Sequence, residues 1–141
     1  MPNYKVHDGI NLACLAGLVV AGIYYRIGYI DIILFSVAFV FATRYLSPDM
    51  DIDSVIYRRW GLLRFAWWPY KMLMKHRGMS HHLIMGPISL IGYLVAWIAL
   101  LIYAACGTSL EYDVKMIIVL AGMVTAIELH IFVDILASLR K

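Results

Sequence analysis

Apolar side chains dominate four stretches of this chain, Ile10 to Tyr29, Ile30 to Leu46, Leu83 to Cys106 and Val114 to Leu136. Each is close to the roughly 17 to 25 residues that a helix needs to cross the hydrocarbon of a bilayer. The pattern therefore predicts an all-α membrane protein with four transmembrane helices. Short polar breaks at Arg26 to Asp31 and Gly107 to Asp113 join the helices into two hairpins, and one longer connection, residues 47 to 82, separates the hairpins. No second domain or internal repeat is visible, so residues 1 to 141 read as one integral-membrane domain.

Composition agrees with that pattern. Hydrophobic residues make up 63% of the chain and the mean hydropathy is +0.80, against about 45 to 50% apolar in ordinary soluble domains. The first apolar run lacks a basic leader and a small-residue cleavage site, and reads as a retained span. Charge sets the expected orientation. One side of the membrane receives Lys5, Arg44, Arg58, Arg59, Arg64, Lys71, Lys75, Arg77, Arg140 and Lys141, and the other only Arg26 and Lys115. Because basic flanks are retained in the cytoplasm, both termini and the 47 to 82 connection are expected there, in a multi-pass protein of the cell membrane.

The connection has its own character. Ser54 to His76 mixes basic residues with Tyr57, Trp60, Trp67, Trp68 and Tyr70, the composition of an amphipathic segment lying in the headgroup layer of the lipid bilayer. Ser54 is a candidate N-cap, and Pro69 marks the change from one short helix to the next. Arginines among Arg58, Arg59, Arg64 and Arg77 suit a phosphate clamp for an anionic lipid or phosphoester. The plainer reading is an electrostatic anchor on anionic lipid. A nucleic-acid partner is not expected, since a basic face is usual on a membrane protein and no recognition fold is visible.

Metal-ligating side chains recur at the same end of all four spans. His7 and Asp8 precede the first. Asp49, Asp51 and Asp53 follow the second, and in an extended segment after Pro48 alternate side chains would share a face. His76 and His81 precede the third, with Gly78 permitting a bend that turns both imidazoles to one point. His130 and Asp134 share a face of the fourth at a spacing of four, inside a span where ionisable groups are costly. His82, adjacent to His81, is expected outside the ligand set, and Glu128 points to a different face from His130. The expected ligands are thus His7, Asp49, His76, His81, His130 and Asp134, enough for one or two divalent ions. Imidazole and carboxylate without thiolate favour zinc first, then manganese or iron. Cys14 and Cys106 lie too far apart for a disulfide and read as packing residues.

These motifs together resemble a known family, the metal-binding membrane proteins called domain of unknown function 2227. The resemblance runs from His7-Asp8 through SPDMDIDS at Ser47 to Ser54, RRWGLLRFAWWPY at Arg58 to Tyr70 and HRGMSHH at His76 to His82, to His130 and Asp134. The SPD-D, HRG-SH and H-D pieces also look like inner-membrane metal-dependent hydrolases, and the HxxxD pair is distantly similar to zinc-dependent phospholipase C. Ser80 stands where those relatives often carry threonine. What the resemblance implies is metal binding and a hydrolase ancestry.

Three functions follow as expectations. A hydrolase at the cytoplasmic face would act on a phosphoester or lipid-like substrate, with Asp53 or Glu128 as base and Arg77 steadying the anion. A non-enzymatic reading makes the ion a pin for the inner helix ends in a small membrane subunit, as a homo-oligomer or within a larger membrane complex. In it the small residues Ala13, Gly17 and Ala21 would pack inside the bundle. Transport fits least, because the outer half of the spans is almost wholly apolar.

Overall fold

The computed structural model describes residues 4–74, 81–108 and 113–139. Helix α1 runs Tyr4–Tyr24, α2 Tyr29–Tyr45, α3 Val55–Arg59, α4 Trp68–Leu73, α5 Met85–Cys106 and α6 Val114–Leu139. Two 3₁₀ segments, Pro48–Asp51 and Gly61–Trp67, fill the connection. By length and composition α1, α2, α5 and α6 can each cross a membrane, and the described residues contain no strand. The protein is all-helical, as the apolar pattern requires.

The bundle is built around the pair α2 and α6, which pack on each other more extensively than any other two elements. Gly122 makes the close approach feasible: a Cβ there would sit 2.5 Å from the Phe35 carbonyl oxygen and 3.2 Å from the Ala38 Cβ. Phe39 and Ala42 of α2, Leu46 just after it, and Ile127 and Ile131 of α6 are fully or almost fully enclosed, with Leu90 of α5 and Met50 of the first 3₁₀ segment beside them. This core lies in the half of the bundle nearest the 47 to 82 connection. Outward faces carry Val20, Ile33, Val37, Ile88 and Leu101 in the open, as lipid-facing surfaces do.

Helix α1 turns His7, Asn11, Leu15 and Gly22 inward, a spacing that keeps one stripe on the core. Three residue placements differ from the expected ones. His7 and Asp8 do not precede the first helix, because it already begins at Tyr4 and both lie buried within it. Two of the three small residues do not pack inside the bundle: Ala13 and Gly17 are exposed, and a Cβ on Gly17 would meet nothing within 4 Å, while Ala21 is half-buried. Cys106 is also exposed, so it is no packing residue; both cysteines are free. Gly107, with φ 66°, ends α5 in the left-handed conformation and donates its N–H to the Tyr103 carbonyl at 2.8 Å.

The described part of the connection packs against the start of α5. Ser54 caps α3 by accepting from the Tyr57 N–H at 3.1 Å, and Pro69 lies in the first turn of α4. An aromatic ladder runs through Trp60, Trp67, Tyr70, Tyr93 and Trp97, with ring centroids 5.1 to 6.5 Å apart. The Tyr93 hydroxyl donates to the Ala66 carbonyl, and the Tyr70 and Ser89 hydroxyls bond at 3.1 Å. Burial pushes the Tyr70 hydroxyl up to about 12, with the nearby Asp51 charge adding and the Ser89 bond opposing. Leu62, Phe65, Trp68, Met72 and Leu73 remain exposed on the other side, an apolar rim on a basic segment.

Candidate metal centre

Four segments bring ionisable side chains to one place. Helix α1 contributes His7, the 3₁₀ segment after α2 contributes Asp49, the approach to α5 contributes His81, and α6 contributes His130 and Asp134. Asp134 Oδ1 lies 3.3 Å from His7 Nε2, and its Oδ2 lies 3.4 Å from His81 Nε2 and 3.6 Å from His130 Nε2. Asp49 bridges the other two rings, Oδ1 at 3.5 Å from His81 Nε2 and Oδ2 at 3.6 Å from His130 Nε2. The His7 and His130 rings stack with centroids 4.0 Å apart and planes 15° from parallel, so both Nε2 edges turn toward the same carboxylate. His7 and His130 are buried, and Asp134 nearly so.

Local geometry explains each contribution. Residues 130 and 134 share a face of α6 because 3.6 residues make a turn. Asp49 is set by Ser47, which caps the 3₁₀ segment by accepting from the Asp49 N–H at 3.3 Å, and by Pro48, whose fixed φ starts the tight turn. Ser47 Oγ also reaches His130 Nε2 at 3.4 Å. One turn deeper, Asn11 donates to Thr43 Oγ1 at 3.1 Å and to the Ala126 carbonyl at 3.0 Å, tying α1, α2 and α6 together beneath the histidines. Ser47 and Asn11 escaped the sequence reading. A usable signal existed for Asn11, an amide four residues after His7 in an apolar helix.

The spacings test whether these donors fit an ion. Charge-assisted N–H···O bonds settle at about 2.7–2.9 Å, and every imidazole–carboxylate separation here is longer, 3.3 to 3.6 Å. Two ligands each about 2.05 Å from a tetrahedral centre lie about 3.3 Å apart. Donor atoms of His7, His130 and Asp134 all fall within 4.8 Å of one another. Among the described residues, His7 Nδ1 is a buried nitrogen without a hydrogen-bond partner. The donor set, imidazole and carboxylate without sulfur, suits a borderline or hard divalent cation. His81, outside the spans, reports the same convergence: burial alone would lower its pKa, yet Asp134 and Asp49 raise it to about 9.

Several expected members stand elsewhere. The three aspartates do not share a face: 49 and 51 lie on a 3₁₀ turn, not an extended strand, so two residues turn the side chain through about 240°. Asp51 is buried instead. Asp53 is exposed and paired with Arg58, whose Nε and a terminal nitrogen donate to its two oxygens at 3.2 and 2.8 Å. That arginine holds the Asp53 carboxyl below its ordinary range. Glu128 is exposed on α6. Neither Asp53 nor Glu128 is brought to the cluster. His82 is exposed, and its Nδ1 accepts from the Ile84 and Met85 N–H groups, both at 3.3 Å, at the start of α5. His76 and Arg77 lie outside the described residues. A cavity of about 440 Å³ lined by Leu18, Gly22, Ile32, Phe35 and Ile118 lies toward the opposite end of the bundle and is almost wholly apolar.

Fold and cluster thus define an all-helical protein with four helices long and apolar enough to cross a membrane and a candidate site for a divalent metal at one end. Residues 2–141 match the family described as uncharacterized metal-binding protein (DUF2227), and this chain belongs to that family. An uncharacterized protein of Aquifex aeolicus (strain VF5) is 34% identical over 61 residues, a match spanning 43% of each chain. No solved structure matches. The family description carries metal binding and names no reaction.

Proposed function

We propose that this protein is a metal-dependent hydrolase at the cytoplasmic membrane face, acting on a phosphoester or lipid-like substrate. The observation that carries the metal part is the convergence of three imidazoles and two carboxylates from four segments at 3.3 to 3.6 Å. His7, His130 and Asp134 would hold the ion, with His81 and Asp49 completing the ring; zinc suits the set first, and manganese or iron next. When bound, such a cation supplies Lewis acidity toward a substrate oxygen.

Accessibility favours chemistry over a purely structural ion. The Asp49 side chain is 25% exposed and His81 11%, against 5% for His7 and 7% for His130. The donor ring is therefore most open at Asp49 and His81, the side from which a headgroup would arrive. Structural ion sites are closed on all sides, while catalytic ones keep a position open. The ten-to-two distribution of basic residues supports a cytoplasmic placement of this end. Divalent metal should co-purify with the protein prepared without chelator, and hydrolysis of phosphatidic acid or a nitrophenyl phosphoester should vanish with the metal in His130→Ala. Activity that survives metal loss in that variant would sink the hydrolase reading.

A scaffold reading draws on the same donors. Because they come from four separate segments, an ion there also clamps α1, α2, α6 and the α5 approach together, as a small subunit of a homo-oligomer or larger complex would require. Metal at full occupancy with every coordination position taken by protein, and no turnover, would favour it.

A further inference from the structure

Asp8 follows His7 in α1, and successive helical side chains point about 100° apart, so its carboxylate serves a neighbouring site. Two guanidiniums meet the same oxygen: Arg44 Nη1 lies 3.4 Å and Arg59 Nη2 3.6 Å from Asp8 Oδ2. Arg59 is held from two further directions. Its Nη1 donates to the Arg44 carbonyl at 3.0 Å, and its Cζ sits 5.5 Å over the Tyr4 ring. Helices α1, α2 and α3 therefore fix two forked cations around one carboxylate, on the chain position next to a donor of the metal cluster.

The charge count does not close. Among the described residues, Arg44 and Arg59 both pair with the one carboxylate of Asp8, which leaves one positive charge unmatched, whereas Arg58 is matched one to one by Asp53 in an exposed two-point pair. Both Asp8 contacts exceed the roughly 2.7–2.9 Å of a strong guanidinium–carboxylate bond, so the carboxylate props the forks without saturating them. A guanidinium carries five N–H donors in a plane matched to phosphate. The arrangement also grades from closed to open, with side-chain exposure of 12% for Asp8, 23% for Arg59 and 45% for Arg44.

We infer that Arg44 and Arg59, propped by Asp8, form an anion subsite beside the metal cluster that takes the phosphate group of a phosphoester. One negative charge completes the balance, which favours a phosphodiester or a phosphomonoester carrying a single charge. The inference rests on the metal-site reading for its place in catalysis, and on the arginine geometry alone for binding. Asp8 acts as a positioning residue: it holds the two forks without touching the ligand.

The test uses the full chain in phosphatidylcholine nanodiscs, metal-loaded and chelator-treated, with ³¹P resonance shifts as readout. Inorganic phosphate and nanodiscs containing phosphatidic acid are the two probes. Arg44→Lys and Arg59→Lys keep the charge and the pairing with Asp8 but lose the fork; each should weaken binding about tenfold or more, with bound metal unchanged by elemental analysis. A shift with phosphatidic acid alone assigns the lipid headgroup, and a shift with both probes assigns phosphate in general. Equal binding by wild type and both lysine variants, or a shift with neither probe, would overturn the subsite. Absence of metal from the wild type would defeat the metal reading instead, since the chelator-treated arm still reports on the arginines.

Discussion

Single side chains carry opposite demands at this site, and His81 shows it best. Asp49 and Asp134 hold its imidazole charged, raising the pKa from 6.5 to about 9 despite burial. A group whose folded pKa is raised stabilises the fold fully below its unfolded value and loses that contribution as pH rises through the folded one. Chelator-treated protein should therefore melt at progressively lower temperature between about pH 6.5 and 9, and His81→Asn should flatten that slope. Metal affinity should run the other way, strengthening as pH rises because protons and the ion compete for the same nitrogens. Thermal melts and metal titration across that range check both. A melting temperature of the stripped protein that climbs with pH would contradict the geometry around His81. Asp134 is the residue most shared, contacting His7, His81 and His130. Asp134→Asn keeps the shape, removes the charge, and should reduce metal occupancy more than Asp53→Asn, whose carboxylate pairs with the exposed Arg58.

Among the elements, the crossing of α2 and α6 positions everything else, since Asp49 follows the end of one and His130 with Asp134 lies on the other. Gly122 sits at that crossing with the Phe35 carbonyl where its Cβ would be. Gly122→Ala must push the helices apart; overpacking of this kind costs about 1–3 kcal/mol, and backbone oxygen cannot rotate away. The expected result is a lower melting temperature in detergent together with reduced metal occupancy, because the helices that carry the donors separate. Gly17→Ala, on an exposed face with nothing within 4 Å, should change neither. Equal behaviour of the two variants would show that α2–α6 spacing does not set the site.

At the scale of the molecule, an ion bound only by the folded bundle adds stability by mass action, about 4 kcal/mol at a thousandfold excess over its dissociation constant. Removing it should lower the melting temperature by on the order of 10 °C, restored by zinc and not by magnesium if imidazole dominates the donor set. Orientation is a separate expectation. With Cys14 and Cys106 replaced by alanine, a cysteine at Thr108 should react with an impermeant maleimide in intact cells, and one at Arg64 only after permeabilisation. The reverse pattern would place the metal cluster outside the cytoplasm.

What the chain determines by itself is whatever depends on local periodicity and on the cost of burying polar groups in lipid. Helix class, four apolar helices, the Ser54 cap, the i, i+4 pair His130 and Asp134, and the family motifs are legible because each is written over a few consecutive residues. His7, Asp49 and His81 are legible as candidates through the end of the bundle to which their segments return. Tertiary structure decided how those segments are aimed. It turned Asp49 toward two histidines and Asp53 away to Arg58, because a 3₁₀ turn rotates side chains that a strand would have aligned. It buried Asn11 and Ser47 at the cluster, left Ala13 and Gly17 facing outward, and joined Arg44 and Arg59 on Asp8 across three helices. Contacts between residues far apart in sequence arise from the crossing of α2 and α6, and no local pattern fixes the depth or rotation at which two apolar helices meet.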